Sequence, residues 1–181
     1  MKVKIRRRSE GFTIVEILVV IAILGLLAAI IIPSFNRMKR SAQSTLCVGN
    51  LRGIGIALNT YFLDHGTTFP TLVAARESRG DDEPAIDTEL LEYVGNDELV
   101  FKCPSDHQGL FEKTGSSYFW NSLINGQKPS NMDMLGVIDK ASGIPIASDK
   151  ENFHEHVGDG VNMLYADGHV LRELQFSVEE Q

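Results

Sequence analysis

The sequence predicts an α+β protein in which a long N-terminal helix packs on a small antiparallel β-sheet head. Three observations lead to this prediction. An apolar run occupies residues 12–32, and one-sided apolar spacing extends the helical pattern to about residue 65. Near the C-terminus, two β-rich runs flank Asp167-Gly168, and an Asp-Gly pair between such runs is a strong hairpin signal.

The apolar run has the length and the flanking charges of a transmembrane helix. From Phe12 to Ile32 there are 21 residues, of which only Glu16 is charged. A helix of that length extends about 31 Å, which matches the hydrocarbon thickness of a bilayer. Basic residues ahead of the run are expected to hold the N-terminus in the cytoplasm and to direct the rest of the chain across the membrane. They are Lys2, Lys4, Arg6, Arg7 and Arg8.

Two residues distinguish this segment from an ordinary membrane anchor. A lone carboxylate inside an apolar helix costs about 2.5–3.5 kcal/mol, so Glu16 needs a partner, and no basic residue lies within the segment. Gly11, which has no side chain, stands at the junction between the polar leader and the helix. Cleavage after Gly11 would release Phe12 as a new N-terminus, and its amine would supply the missing cation, within one chain or between neighbours.

The run Gly-Phe-Thr-Ile-Val-Glu at residues 11–16, followed by an apolar helix, resembles the class III signal of type IV pilins and type II secretion pseudopilins. In that family a membrane aspartyl peptidase cuts after the glycine and methylates the new N-terminal phenylalanine. The family's glutamate guides docking into a helical filament. The resemblance therefore implies that Gly11 and Phe12 form the processing site and that Glu16 acts in assembly. Pro33 lies where the family's helix often kinks.

Two simpler interpretations of the N-terminal segment explain fewer of its residues. A cleaved secretory signal has a shorter apolar core and a small-x-small site after it, whereas Pro33-Ser34-Phe35 follows here. A plain signal-anchor explains the length and the basic flank. It explains neither Gly11 nor Glu16.

The first eleven residues differ in charge from the rest of the chain. Residues 1–11 carry five basic side chains and Glu10, so their removal takes the net charge from −7 to −11. An acidic mature chain argues against nucleic-acid binding, which requires a basic face.

We predict four segments: a cleaved leader at 1–11, a transmembrane helix at 12–32, its amphipathic continuation at 33–65 and a globular head at 66–181. The head is long enough for one hydrophobic core.

Beyond Pro33 the helical pattern becomes one-sided. The apolar positions predicted to form its buried face are Phe35, Met38, Ala42, Leu46, Leu51, Ile54, Leu58 and Tyr61. Gly66 is predicted to cap the helix, and Pro70 prevents its continuation. The passage from Asn50 to Pro70 is similar to a pseudopilin passage in which the helix ends at a tyrosine, an acidic residue and a glycine before a proline. That similarity implies that the head begins here.

The head is predicted to combine a loop, a short helix and a sheet. Residues 76–84 are polar and predict an exposed loop, and Asp87 is predicted to cap a short helix that runs to Val94. Because Pro145 has no backbone N–H, we predict that its segment, residues 144–147, is an edge strand or that the proline begins the strand. The predicted strands are residues 99–101, 117–120 and 144–147, followed by the hairpin of residues 161–171.

The two cysteines, Cys47 and Cys103, are predicted to lie outside the cytoplasm, where disulfides persist. If they pair, the bridge closes a loop of more than fifty residues and contributes about 3–4 kcal/mol. Two buried free thiols are the alternative, and the count of cysteines does not decide between them.

The passage from Ser148 to His169 holds three of the five histidines. It resembles the C-terminal signature of a large bacterial group of prepilin-processed proteins, in which a histidine stands nine residues before an Asp-Gly. The Cys-Pro-Ser-Asp at 103–106 and the Gly-Ser-Ser-Tyr at 115–118 fit that group as well. Here ten residues separate His156 from Asp167, so an extra loop residue is required.

This passage also predicts a candidate metal site. Its ligands would be Asp149, His156, Asp159 and Asp167, which offer oxygen donors to calcium or mixed donors to another divalent cation. Major pseudopilins bind calcium in this general region, so the resemblance implies the same. The alternative is that Asp167 is a turn residue and that the histidines hydrogen-bond to loop backbone. We expect no catalytic residues, because the sequence contains no nucleophile elbow, phosphate loop or His-Glu-x-x-His.

Together with the resemblance, these features predict a pilin-like structural subunit in the inner membrane, with a cytoplasmic N-terminus and a periplasmic head. Its partners would be prepilin peptidase, other pilin or pseudopilin subunits and an inner-membrane assembly platform. The product would be a type II secretion pseudopilus or a type IV pilus-like filament. The alternative is a membrane-tethered module that uses the same signal and binds a ligand or a cation with its head. An anchored enzyme is a third hypothesis.

Overall fold

The computed structural model describes residues 13–129, 141–155 and 160–172. The chain forms two compact units, Met1–Lys39 and Arg40–Gln181. Helix α1 (Ile14–His65) contributes residues to both. The second unit adds a four-stranded antiparallel sheet and several short helices, so the α+β class is confirmed.

In the first unit, α1 presents its apolar side chains outward. Every residue from Thr13 to Ile32 is exposed. The most apolar window of this helix has a mean hydropathy of 3.1, and none of it is buried. By length and composition the helix can therefore cross a membrane. The helical assignment continues through Pro33 to His65 without a break.

In the second unit, α1 buries a face that differs from the predicted one. Its buried residues are Ser44, Cys47, Val48, Leu51, Ile54, Gly55, Ala57 and Leu58. The prediction was correct for Leu51, Ile54 and Leu58, whereas Leu46 is exposed. The step from Leu46 to Leu51 is five residues, which turns about 140° around a helix and leaves the two side chains on different faces. Phe35, Met38 and Ala42 are exposed as well.

Helix α1 ends where the sequence predicts. Its last residue is His65, and Gly66 follows in the left-handed conformation with φ of 69°. The short helices that follow are α2 (Ile86–Glu89) and α3 (Leu110–Thr114), with 3₁₀ turns at Glu92–Val94, Glu98–Phe101, Ser122–Ile124 and Ala141–Gly143.

The predicted strand at residues 99–101 is wrong, because that segment belongs to the 3₁₀ turn Glu98–Phe101. The Asp97 side chain caps this turn by accepting a hydrogen bond from the Leu99 N–H at 3.0 Å. A short apolar run fits a strand and a buried helical turn equally well. Here the hydrogen bond to the Asp97 side chain stabilises the helical turn.

The predicted capping role of Asp87 is also wrong. Helix α2 begins one residue earlier, and its first turn is closed by Thr88, whose hydroxyl accepts a hydrogen bond from the Ala85 N–H at 2.9 Å. The helix ends at Glu89, and a separate 3₁₀ turn continues to Val94.

Asp87 instead forms an ion pair with Arg76, a residue of the loop predicted to be exposed. The Arg76 side chain is buried, and its Nη1 donates to the carbonyl oxygens of Arg79 and Asp81, both at 3.2 Å. Burial raises the pKa of Asp87 even though Arg76 opposes this shift. A buried ion pair is costly to break by removing one partner, so it holds this polar loop against the head.

The sheet has the strand order β1 (Tyr118–Trp120), β2 (Pro145–Asp149), β3 (Met163–Tyr165) and β4 (Val170–Leu171). All neighbouring pairs are antiparallel. Pro145 is the first residue of β2, which lies between β1 and β3, so the proline marks a strand start rather than an edge. The strands predicted near residues 117–120 and 144–147 and the C-terminal hairpin are confirmed.

The hairpin between β3 and β4 closes through a three-residue turn. Tyr165 pairs with His169, and the Gly168 N–H donates to the Tyr165 carbonyl oxygen at 2.9 Å. Gly168 has φ of 88°, whereas Asp167 is not among the residues with positive φ. The turn thus needs positive φ only at its last residue, as three-residue hairpin loops commonly do.

The core of the second unit lies between the buried face of α1 and the sheet. A Cβ atom on Gly55 would lie 3.2 Å from a methyl carbon of Leu164, so the glycine permits close approach of α1 and β3. Large buried side chains complete the core: Leu51, Ile54, Phe69, Leu90, Phe101, Tyr118, Trp120, Ile124, Ile146 and Leu164.

The two faces of α1 predict different costs for the same substitution. Leu51 is 0% exposed and Leu46 is 60% exposed. We expect Leu51→Ala to lower the free energy of unfolding by about 2–5 kcal/mol, because it leaves a cavity. The matched change Leu46→Ala should alter it by no more than about 0.5 kcal/mol. Urea unfolding of the full chain in detergent measures both, and equal losses would contradict the assigned face.

Candidate functional site

The predicted processing residues, Gly11 and Phe12, lie outside the described residues. Glu16 lies in the first turn of α1, and its Oε2 accepts hydrogen bonds from the Thr13 N–H at 2.7 Å and the Thr13 hydroxyl at 2.8 Å. The Glu16 N–H is 3.2 Å from the Thr13 Oγ1. This reciprocal arrangement is a capping box, which satisfies backbone donors at the start of a helix.

The capping box gives Glu16 a partner that the sequence analysis missed. The expected partner was a cation, whereas the carboxylate accepts hydrogen bonds from the neutral N–H and hydroxyl of Thr13. The spacing Thr-x-x-Glu ahead of an apolar run is itself the signature of a capping box and was sufficient to find it. The carboxylate is therefore hydrogen-bonded within its own chain before any assembly.

A second group of polar side chains meets in the interior of the head. Cys47 comes from α1, Cys103 follows the 3₁₀ turn Glu98–Phe101, Asp149 ends β2, and His154 lies just beyond it. All four residues are buried, and their sulfur, oxygen and nitrogen atoms lie within 4.8 Å of one another. We call these four residues the thiol cluster.

The contacts within the thiol cluster are short. Cys47 Sγ lies 3.1 Å from Asp149 Oδ1, and Cys103 Sγ lies 3.3 Å from His154 Nε2. His154 Nε2 is also 3.7 Å from Asp149 Oδ2. The four side chains thus face a common point.

Two neighbours orient the thiol cluster from outside. The backbone N–H and the side-chain Nδ2 of Asn162 donate to Asp149 Oδ2 at 2.7 and 2.8 Å. The Tyr118 hydroxyl lies 3.3 Å from Cys47 Sγ. These bonds fix the Asp149 carboxylate with its Oδ1 directed at Cys47.

Burial and mutual contact shift the acidities in the cluster in opposite directions. Burial raises the pKa of Cys47, whereas the proximity of Cys47 lowers the pKa of Cys103, with His154 acting in the same sense. Burial also raises the pKa of Asp149, against the hydrogen bonds from Asn162 and Cys47.

Both cysteines are free thiols in this structure. Their sulfur atoms lie in the same cluster, within 4.8 Å of each other, whereas a disulfide requires about 2.05 Å. The pairing of Cys47 with Cys103 stays a prediction.

The predicted metal ligands have different surroundings. Asp149 belongs to the thiol cluster, whereas Asp167 is an exposed turn residue that binds the backbone and ring nitrogens of its neighbour His169. His156 and Asp159 lie outside the described residues, so the predicted set of four stays a prediction. His154 was not among the predicted ligands, because its proximity to the two cysteines arises only from the tertiary fold.

A cleft of about 300 Å³ lies beside the thiol cluster. His154 forms part of its lining together with Gln43, Ser105 and His107. His154 is the one residue of the thiol cluster that lines this cleft.

Comparison with known proteins identifies the N-terminal segment. A family model described as the prokaryotic N-terminal methylation motif matches residues 6–32. The type II secretion system core protein G of Pseudomonas aeruginosa is 42% identical over 60 residues, which cover 33% of this chain and 42% of that protein. The protein of the same name from Klebsiella michiganensis is 31% identical over 105 residues, covering 58% of this chain and 72% of that relative.

A pilin also matches part of this chain. The type IV major pilin of Myxococcus xanthus is 32% identical over 76 residues, covering 41% of this chain and 34% of the pilin. The chain spans less than half the length of several of the relatives it matches. No solved structure matches this protein.

The capping box predicts a local effect of removing the Thr13 hydroxyl. We expect Thr13→Val to speed hydrogen exchange at the Glu16 amide by roughly fivefold, because a lost cap costs about 1 kcal/mol. Thr13→Ser keeps the hydroxyl and should exchange at the original rate. NMR of the full chain in detergent micelles measures these rates, and equal exchange in both variants would contradict the cap.

Proposed function

The chain belongs to the family of the type II secretion system core protein G, and on that premise we propose that it is a pilin-like structural subunit of a filament. Prepilin peptidase cleaves it after Gly11 and methylates Phe12, and its N-terminal helix then enters a type II secretion pseudopilus or a type IV pilus-like filament. The observation that carries this proposal is the methylation motif at residues 6–32, which includes the exposed apolar part of α1.

We place the subunit in the inner membrane as a single-pass protein. The apolar segment 12–32 supplies the membrane span, and the basic residues before it keep the N-terminus in the cytoplasm. Residues 33–65 continue the helix into the periplasm, where residues 66–181 form the head.

The partners follow from this role. Prepilin peptidase acts on residues 1–12, other pilin or pseudopilin subunits contact the N-terminal helix, and an inner-membrane platform drives assembly. The named relatives are structural subunits, which supports a structural rather than an enzymatic role here. The acidic composition of the mature chain argues against nucleic-acid binding.

The capping box leaves one carboxylate oxygen of Glu16 available for a contact with a neighbouring subunit. Both Thr13 donors bind Oε2 of the carboxylate, and each carboxylate oxygen accepts more than one hydrogen bond. Glu16 can thus keep its cap and accept, through Oε1, the cationic amine of a processed Phe12 from a neighbouring subunit. Because desolvation offsets much of this attraction, its main effect is to set the register of the subunits rather than to add stability.

Processing depends on the small residue at the cleavage junction. We expect Gly11→Val to leave the precursor, longer by residues 1–11, in the inner membrane, because a branched side chain blocks the approach of the peptidase. The control Gly25→Val introduces the same side chain within the helix, where a Cβ has nothing within 4 Å, and should be processed normally. Immunoblots of membrane fractions separate the two sizes. A mature-size product from Gly11→Val would contradict the proposal.

Assembly depends on the charge of Glu16. We expect Glu16→Ala and Glu16→Gln to insert and to be cleaved, yet to be absent from filaments when expressed alone, because the neighbouring amine then lacks its counter-ion. Glutamine still completes a capping box, so Glu16→Gln separates charge from capping. Shearing followed by immunoblotting measures filament yield.

Normal yield from Glu16→Gln with loss in Glu16→Ala would show that capping, not ion pairing, is the requirement. Normal yield from both variants would favour the alternative of a membrane-tethered module that binds its ligand without assembling.

A further inference from the structure

The thiol cluster is not needed for processing or for the role of Glu16. We propose that it binds one zinc ion, which joins α1 to the sheet. The ligands are Cys47, Cys103, Asp149 and His154.

The donor types suit zinc. Zinc in proteins is bound by thiolate sulfur, imidazole nitrogen and carboxylate oxygen, commonly four at a time. Calcium and magnesium prefer oxygen ligands, and the two sulfur atoms of this cluster select against them. Cys47 and Cys103 therefore distinguish this site from a calcium site.

The distances between donor atoms also suit zinc. Four ligands at zinc bond lengths of about 2.0–2.3 Å around a tetrahedral centre lie about 3.3–3.8 Å from one another. The distances from Cys103 Sγ to His154 Nε2 and from His154 Nε2 to Asp149 Oδ2 are 3.3 and 3.7 Å. Cys47 Sγ and Asp149 Oδ1 lie 3.1 Å apart. All four donor atoms, counting one oxygen of Asp149, lie within 4.8 Å of one another, so side-chain shifts of about 1 Å would bring them to a tetrahedron.

The surroundings hold the ligands in place. Metal-binding carboxylates are usually hydrogen-bonded by neighbouring groups, and Asn162 provides two such bonds to Asp149. The Tyr118 hydroxyl lies within hydrogen-bond distance of Cys47 Sγ and offsets part of the thiolate charge. His154 is the ligand that borders the cleft.

Binding is an exchange of protons for the metal, with no change in oxidation state. Zinc ligation requires both sulfurs as thiolates and His154 as neutral imidazole, so thiol protons that are still present leave to solvent as the zinc–sulfur bonds form. The two thiolates and the carboxylate then surround the divalent cation.

A disulfide between the cysteines would leave the buried Asp149 and His154 with poorer hydrogen-bond partners than zinc would. Oxidation removes the thiol proton of Cys47, which is the donor facing Asp149 Oδ1. It also converts Cys103 Sγ, which lies 3.3 Å from His154 Nε2, into a disulfide sulfur that cannot donate and accepts only weakly. Buried polar groups that lose a partner are costly, whereas zinc satisfies all four side chains together.

The test uses the full chain in detergent, kept reduced and incubated with zinc chloride alone. After dialysis, elemental analysis should find one zinc per chain, and cobalt(II) in its place should give a thiolate-to-cobalt charge-transfer band. We expect Cys103→Ser and His154→Ala to lower zinc affinity at least about tenfold. The control His107→Ala removes an exposed histidine from the same cleft and should bind zinc as before.

Three results would overturn the proposal. The first is zinc binding that is unchanged by Cys103→Ser. The second is the lack of a thiolate band with cobalt in the unaltered chain, which decides the matter even if a variant fails to fold by circular dichroism. The third is a chain isolated from its native host with Cys47 and Cys103 joined in a disulfide and with no bound zinc.

Discussion

The rest of the structure depends on the helical backbone of α1, which runs from Ile14 to His65. In a bilayer the backbone groups of a spanning segment must be satisfied within the segment itself, and a helix does this. The stretch from Ile14 to Ile32 meets that condition with apolar side chains exposed on all sides. From Ser44 onward the same helix buries one face, and the sheet and short helices of the head form their core against it.

Sequence patterns correctly predicted the elements that depend on residues close together in the chain. The length of α1, its end at Gly66 and the hairpin at Gly168 follow from hydropathy, helix capping and turn chemistry. The buried face of α1 was only half predictable, because apolar spacing does not say which side of a helix the head covers. Leu46 and Leu51 are equally apolar, yet only Leu51 is buried. Arg76 was missed for a similar reason, since its burial depends on the distant partner Asp87.

The candidate sites also differ in whether their residues lie close together in the sequence. The hydrogen bonds between Thr13 and Glu16 join residues three apart, so the sequence carried the signal although basic partners were sought instead. The thiol cluster joins Cys47 to Cys103 and His154, which are far apart along the chain and meet only because α1 packs on the head. The predicted metal site included Asp149 because it lies near the histidines in sequence. Its cysteine neighbours come from elsewhere in the fold.

Intact-protein and N-terminal peptide mass spectrometry of the chain from its native host tests most directly whether it is a processed filament subunit. The expected product lacks residues 1–11 and begins at Phe12 with a methylated amine. This result requires both cleavage after Gly11 and the modification that the methylation motif at residues 6–32 specifies. A chain that retains residues 1–11, or that begins at any residue other than Phe12, would contradict this account.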